Sequence, residues 1–257
     1  MPFFTWYEYE TILLVIVRIT ALITVAPFFG DKRIPAILKI GLGVLLGALI
    51  IPVMELQPSG FTSIVGFMLA ITLEALVGIT IGFIANILFM GVQFSGQLVS
   101  LQMGFAAAQL FNPSTENNVP VVGEFYYIVS ILIYLAIGGH GFLIEALQHS
   151  FTVIPLGGLI FKGGFFEYLT SLTADVFLIA LKIAAPIFIT ILLTEIALGL
   201  IARLVPQMNI FIFGFPLKIL AGMLMIAISM PIFGRVFQAL LSTSELNIER
   251  IIFLLGP

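Results

Sequence analysis

Hydrophobic residues run through this chain in long stretches, and their interruptions are few enough to read one by one. A helix rises about 1.5 Å per residue, so crossing a hydrocarbon core of about 30 Å takes roughly 20 apolar residues. Runs of that order predict helices at about Thr11–Phe29, Ala36–Met54, Phe61–Met90, Phe125–Ile144, Leu172–Ala202 and Phe215–Phe233, the last with a short helical tail. A more polar helix is expected at about Gly91–Phe111. Between Ala75 and Thr115 there is no Asp, Glu, Lys or Arg. One unbroken helix over that stretch would be about 60 Å long, twice a bilayer. It is therefore expected to fold back or extend beyond the membrane, with the best break near Met90–Gly91. The pattern describes an all-α polytopic membrane protein with six to seven long, partly kinked helices. Residues 1–257 read as one membrane domain, with an N-terminal half of about 1–165 and a C-terminal helical hairpin of about 170–257.

Composition strengthens this picture. Hydrophobic residues make up 61% of the chain, charged residues only 9%, and mean hydropathy is +1.23. A soluble domain carries about 45–50% apolar and about 25% charged residues. Thirteen acidic and ten basic residues cannot clothe a molecule this size in water, so lipid must solvate much of it. The net charge of −3 and the scattered cations argue against a nucleic-acid partner. The absence of cysteine excludes disulfides, iron–sulfur clusters and thiolate zinc sites. Glu8 and Glu10 stand where a secretory signal would be basic, so the first apolar run reads as a retained helix. Trp6, Tyr7 and Tyr9 before it suit an interfacial aromatic belt. Lys32, Arg33 and Lys39 in one loop, and Arg203 and Lys218 in another segment, place both in the cytoplasm and the N-terminus outside.

Four charges fall within apolar runs: Arg18, Glu74, Lys182 and Glu195. Such residues serve either as structural pairs and snorkelling groups or as an ion relay. Lys182 and Glu195 are thirteen residues apart on one helix, about 20 Å in height, too far to pair directly. Arg18 and Glu74 can form an inter-helix pair. His140 and His149, with Glu145 one turn before the latter, lack a third strong ligand, so no metal site is expected. Ser95 and His140 lack the strained elbow of a hydrolase nucleophile. Neither a P-loop nor a dinucleotide fingerprint is present. No cofactor and no covalent chemistry are expected.

The segment Gly91–Phe111 is the most informative. Gly96, Ser100, Gly104 and Ala108 recur every four residues, a stripe that admits a neighbouring backbone. Gln93 and Gln97 occupy an adjoining face, followed by Gln102 and Gln109. Neutral amides are costly to expose to lipid. They are either glue between helices or the polar lining of a conduit or subunit seam. The following Leu110–Phe125 carries Asn-Pro, Ser-Thr and Asn-Asn turn chemistry. It reads as a surface connector or as a gating element.

Four stretches, Arg18–Gly43, Glu74–Phe125, Gly138–Leu143 and Leu198–Gly222, together resemble the FliR family, membrane subunits of the flagellar export gate with counterparts in injectisomes. The most specific strings are ARLVPQMNIFIFGFPLK at Ala202–Lys218 and QMGF followed by Asn-Pro at Gln102–Pro113. The resemblance implies a single copy assembled helically with several copies of two smaller membrane subunits. Together they enclose the channel for unfolded flagellar proteins, in the bacterial inner membrane at the basal body. It implies a plug at about Phe105–Val121, sealed by Met103, Gly104, Phe105, Leu110 and Phe111 and turned by Asn112 and Pro113. Gln93, Gly96, Gln97, Ser100 and Gln102 would face the lumen or a subunit seam. Pro206, Gln207, Asn209, Phe213, Gly214, Pro216 and Lys218 would form a cytoplasmic hairpin tip near the switch subunit. The rival reading, a secondary transporter of a small solute, would gather Glu74, Lys182 and Glu195 at a midplane site, but no inverted repeat supports it.

Overall fold

The computed structural model describes residues 6–53, 61, 63–105, 121–206 and 210–257. Among these, regular structure is helical throughout. The seven α-helices are α1 (Trp6–Val25), α2 (Ala36–Ile50), α3 (Ile64–Met103), α4 (Val121–Ala136), α5 (Gly139–Val153), α6 (Phe165–Leu204) and α7 (Ile210–Leu255), with a 3-10 turn at Ile51–Val53. Two compact units are built from interleaved stretches of chain. The first comprises residues 1–87, 134–173 and 242–257, and the second residues 88–133 and 174–241. Among the described residues, three helices are long and apolar enough to cross a membrane: Ile64–Met103, Phe165–Leu204 and Ile212–Leu255. α4 and α5 would supply a fourth crossing if read as one span, but they are bent by 69°. The protein is thus an all-α polytopic membrane protein.

Four sequence expectations change. The break near Met90–Gly91 does not exist, because α3 runs unbroken for 40 residues. Gly91 is a contact glycine and not a hinge: a Cβ there would lie 2.6 Å from Ile179 Cγ2 on α6. At about 60 Å, α3 takes the other option and outruns a bilayer. Second, the expected span at Phe125–Ile144 straddles a corner. Gly138, at φ +79°, stops α4 in the left-handed conformation that costs glycine nothing, and Tyr134 Oη donates to the Gly139 carbonyl at 2.7 Å across it. Third, the short tail after Phe233 is the continuation of one 46-residue helix, α7, which passes through Pro216 and Pro231. Fourth, α2 has only 15 residues, about 22 Å, so Ala36–Met54 falls short of a full crossing.

In the first unit, glycines set the spacing of the helices. Gly43 and Gly47 of α2 lie against Thr20 and Ile16 of α1. Gly78 and Gly82 of α3 lie against the backbone of Arg18 and Leu22 of α1, so close that a methyl group would strike the carbonyls. Leu14, Val15, Ile19, Val77 and Ile81 are buried in this unit. Lys39, expected in a loop, belongs to α2; its ammonium donates to the Gly30 carbonyl at 2.9 Å. The final carbonyls of α7 have no intrahelical donor and need partners. Extended chain at 160–162 supplies them: Ile160 N–H to Leu255 O at 3.1 Å, Lys162 N–H to Leu254 O at 3.0 Å, and Lys162 Nζ to Phe253 O at 3.1 Å. The second unit packs on aromatics. Phe89 meets Phe237 at 5.7 Å between centroids, and Tyr126 meets Phe233 at 4.8 Å.

Candidate functional site

Two buried arrangements stand out, one in each unit. In the first, Arg18 of α1 is wholly buried and all five of its N–H groups find acceptors. Nε and Nη2 reach Glu74 of α3 at 2.5 and 3.1 Å. Nη1 reaches the carbonyl and hydroxyl of Ser150, and Nη2 also reaches the Ile154 carbonyl at 3.0 Å. Those two carbonyls lie at the C-terminal end of α5, where cations are favoured. Glu74, 1% exposed, also accepts the Gly157 N–H at 2.7 Å. The Phe151 ring lies 4.3 Å from the guanidinium carbon. The expected pair therefore exists, and it clamps α1, α3 and α5 together. The close approach that permits it comes from Gly78, one turn beyond Glu74. This Gly78–Gly82 spacing is the signal that sequence reasoning passed over.

The second arrangement surrounds the end of α3. Gly96 lies against the backbone of Gly123 on α4, which leaves no room for a methyl group. Ser100 is buried, and its hydroxyl has no hydrogen-bond partner among the described residues. Met103 is fully buried and packs on Gly222 of α7, while a Cβ on Gly104 would lie 2.5 Å from the Phe215 ring. Gly104 has φ +86° and ends α3. Thus the small-residue stripe does bring backbones together at Gly96 with α4, while at Gly104 it admits an aromatic ring of α7. Gln97 is exposed, whereas Gln93, Gln102 and Phe105 are half-buried. Ala108, Gln109, Leu110, Phe111, Asn112 and Pro113 lie outside the described residues, as do Gln207 and Asn209.

Much of the segment 206–218 belongs to a helix. Pro206 is exposed in the turn after α6, but Phe213, Gly214, Pro216 and Lys218 lie within α7. Phe213 is exposed and Gly214 buried. Lys218 donates to Glu195 of α6 at 2.5 Å, a partly exposed bridge that ties the two helices together beyond the turn. Glu195 thus finds a partner on α7, as its distance from Lys182 requires. His140, Glu145 and His149 are all exposed, and no group of three His, Cys, Asp or Glu that could hold a metal occurs among the described residues.

The sequence model of the bacterial export proteins, family 1, matches residues 9–244. The chain is 30% identical over 251 residues to the flagellar biosynthetic protein FliR of Bacillus subtilis (strain 168), covering 96% of each. It is 35% identical over 216 residues to the protein of that name from Pectobacterium carotovorum subsp. carotovorum, covering 84% of this chain and 82% of the relative. With that of Escherichia coli (strain K12) the identity is 31% over 227 residues, covering 88% and 87%. A helical membrane chain matched along nearly its whole length by one family leaves a single assignment: the chain belongs to the bacterial export proteins, family 1.

Proposed function

We propose that this chain is a structural subunit of the flagellar export gate, forming and plugging the channel through which unfolded flagellar proteins pass. The observation that carries this is its end-to-end similarity to proteins named for flagellar biosynthesis. Its work is binding and enclosure, without covalent chemistry. It sits in the bacterial inner membrane at the basal body, with several copies of two smaller membrane subunits and a switch subunit.

Within that reading the end of α3 is the base of the plug. Met103 and Gly104, held by Gly222 and Phe215, anchor a seal that continues through Phe105, Leu110 and Phe111 and turns at Asn112 and Pro113. Gln93, Gln97 and Gln102 line the lumen or a seam beside Gly96 and Ser100. Pro206, Gln207 and Asn209 form the tip toward the switch subunit, and Phe213, Gly214, Pro216 and Lys218 form its base. Deleting Phe105–Val121 from the assembled gate should leave the membrane permeable to ions, read as loss of membrane potential. A tight membrane in that deletion, with the gate assembled, refutes the plug.

A further inference from the structure

Residues 176–194 of α6 lie between Asp175 and Glu195 and are apolar or hydroxyl-bearing except for Lys182. At about 1.5 Å per residue they measure about 28 Å, one hydrocarbon thickness. Leu178, Ile189, Leu193, Ile196 and Leu200 share the stripe of Lys182 at helical spacing, and all are exposed. Lys182 is exposed with them and has no hydrogen-bond or ion-pair partner among the described residues. Nothing else on the helix answers its charge. Glu195 is taken by Lys218. Asp175 is seven residues away, beyond the three- or four-residue spacing at which helical side chains meet. The Thr190 and Thr194 hydroxyls donate to Pro186 and Thr190 carbonyls on their own helix. Lys182 also lies about 10 Å in from the Asp175 end of the stretch, too deep for its four-carbon stem to carry the ammonium fully to a lipid phosphate.

Building on the gate-subunit reading, we propose that Lys182 is the cation of an intersubunit contact. A membrane helix of a partner subunit covers the Leu178–Leu200 stripe and presents an Asp or Glu to the ammonium. An otherwise apolar helix with one carboxylate at that depth satisfies both the stripe and the charge, whereas lipid chains satisfy only the stripe. The test is affinity purification of the tagged chain from cells that make the other export-apparatus membrane subunits. Lys182→Glu should lower the co-purified partners at least tenfold and Lys182→Met several-fold, with Lys182→Arg near wild type. Because the chain has no cysteine, Leu178→Cys can carry a benzophenone maleimide as the one labelled site, with Lys182 intact. That probe should cross-link to a partner membrane subunit. Wild-type yields of partners in both Lys182→Glu and Lys182→Met overturn the contact and leave the gate reading standing. So does a probe that captures lipid alone. A wild-type chain that purifies without membrane partners overturns the gate reading itself, and the contact with it.

Discussion

Arg18 and Glu74 show how a full set of hydrogen bonds makes a buried charge tolerable. Removing one partner of a buried pair strands the other and costs about 3–5 kcal/mol, whereas replacing both with apolar groups is often nearly neutral. Glu74→Ala should therefore lower unfolding stability in detergent by about that amount, and Arg18→Met with Glu74→Met should recover most of the loss. Recovery will be incomplete, because Gly157 N–H and the Ser150 and Ile154 carbonyls also lose their partners. Glycines at the same scale divide into two kinds. Gly78 and Gly96 meet backbone that cannot yield, so alanine at either should cost at least about 1–3 kcal/mol, the usual range for overpacking. Gly199 has open space around it in α6, and alanine there should stabilise the isolated chain by about 0.4–1 kcal/mol. Thermal melts of the three variants check the contrast. The ion pair was legible because charges are rare in apolar runs. Its enabling glycines, Gly78 and Gly82, stand four residues apart in the sequence but carry no charge to mark them.

Elements were harder to read than residues. A glycine in an apolar run can be a hinge, a stop or a contact point, and its letter does not distinguish them. Gly91 is a contact, and Gly138 is a stop. Because Gly138 has φ +79° and nothing within 4 Å, its role is conformational. Gly138→Ala should cost about 1–2 kcal/mol, the left-handed penalty, and Gly138→Asn clearly less; a straightened α4–α5 with wild-type stability would contradict this. The cap on α7 was invisible in sequence, because two of its three bonds are backbone to backbone and have no side-chain signature. Lys162 contributes the third bond and lies 4.0 Å from the Phe253 ring. Lys162→Ala should fray the last turn, read as faster amide hydrogen exchange at residues 252–255 with little change at Tyr168.

For the whole molecule, composition alone establishes a membrane protein, and run length finds its seven helices. Among the described residues, three of these helices are long and apolar enough to cross a bilayer, and α4 and α5 form a bent pair. The reading changes where a regular α-helix is shorter than its apolar run, as in α2, and where a corner hides in a glycine pair, as at Gly138 and Gly139. Residues 106–120 of the candidate plug and Gln207 and Asn209 of the hairpin tip lie outside the described residues, so their reading still rests on sequence. Orientation follows from the cations near each turn. Single cysteines at Lys32 and Arg203 in this cysteine-free chain should react with a membrane-impermeant maleimide only from the cytoplasmic face. Labelling of either from the outside reverses the assignment.

The interleaving of the two units sets when each can be completed. The first unit takes in residues 1–87, 134–173 and 242–257, so it stays incomplete until the ribosome has made that last stretch. The carbonyls of Phe253, Leu254 and Leu255 follow the donors at 160 and 162 by some ninety residues of translation, and the donors must wait for them. During that interval the α6 and α7 segments enter the membrane while half of the fold remains open. A ribosome stalled after α6 would hold an inserted but unfinished chain, with Lys162 available to whatever reached it first.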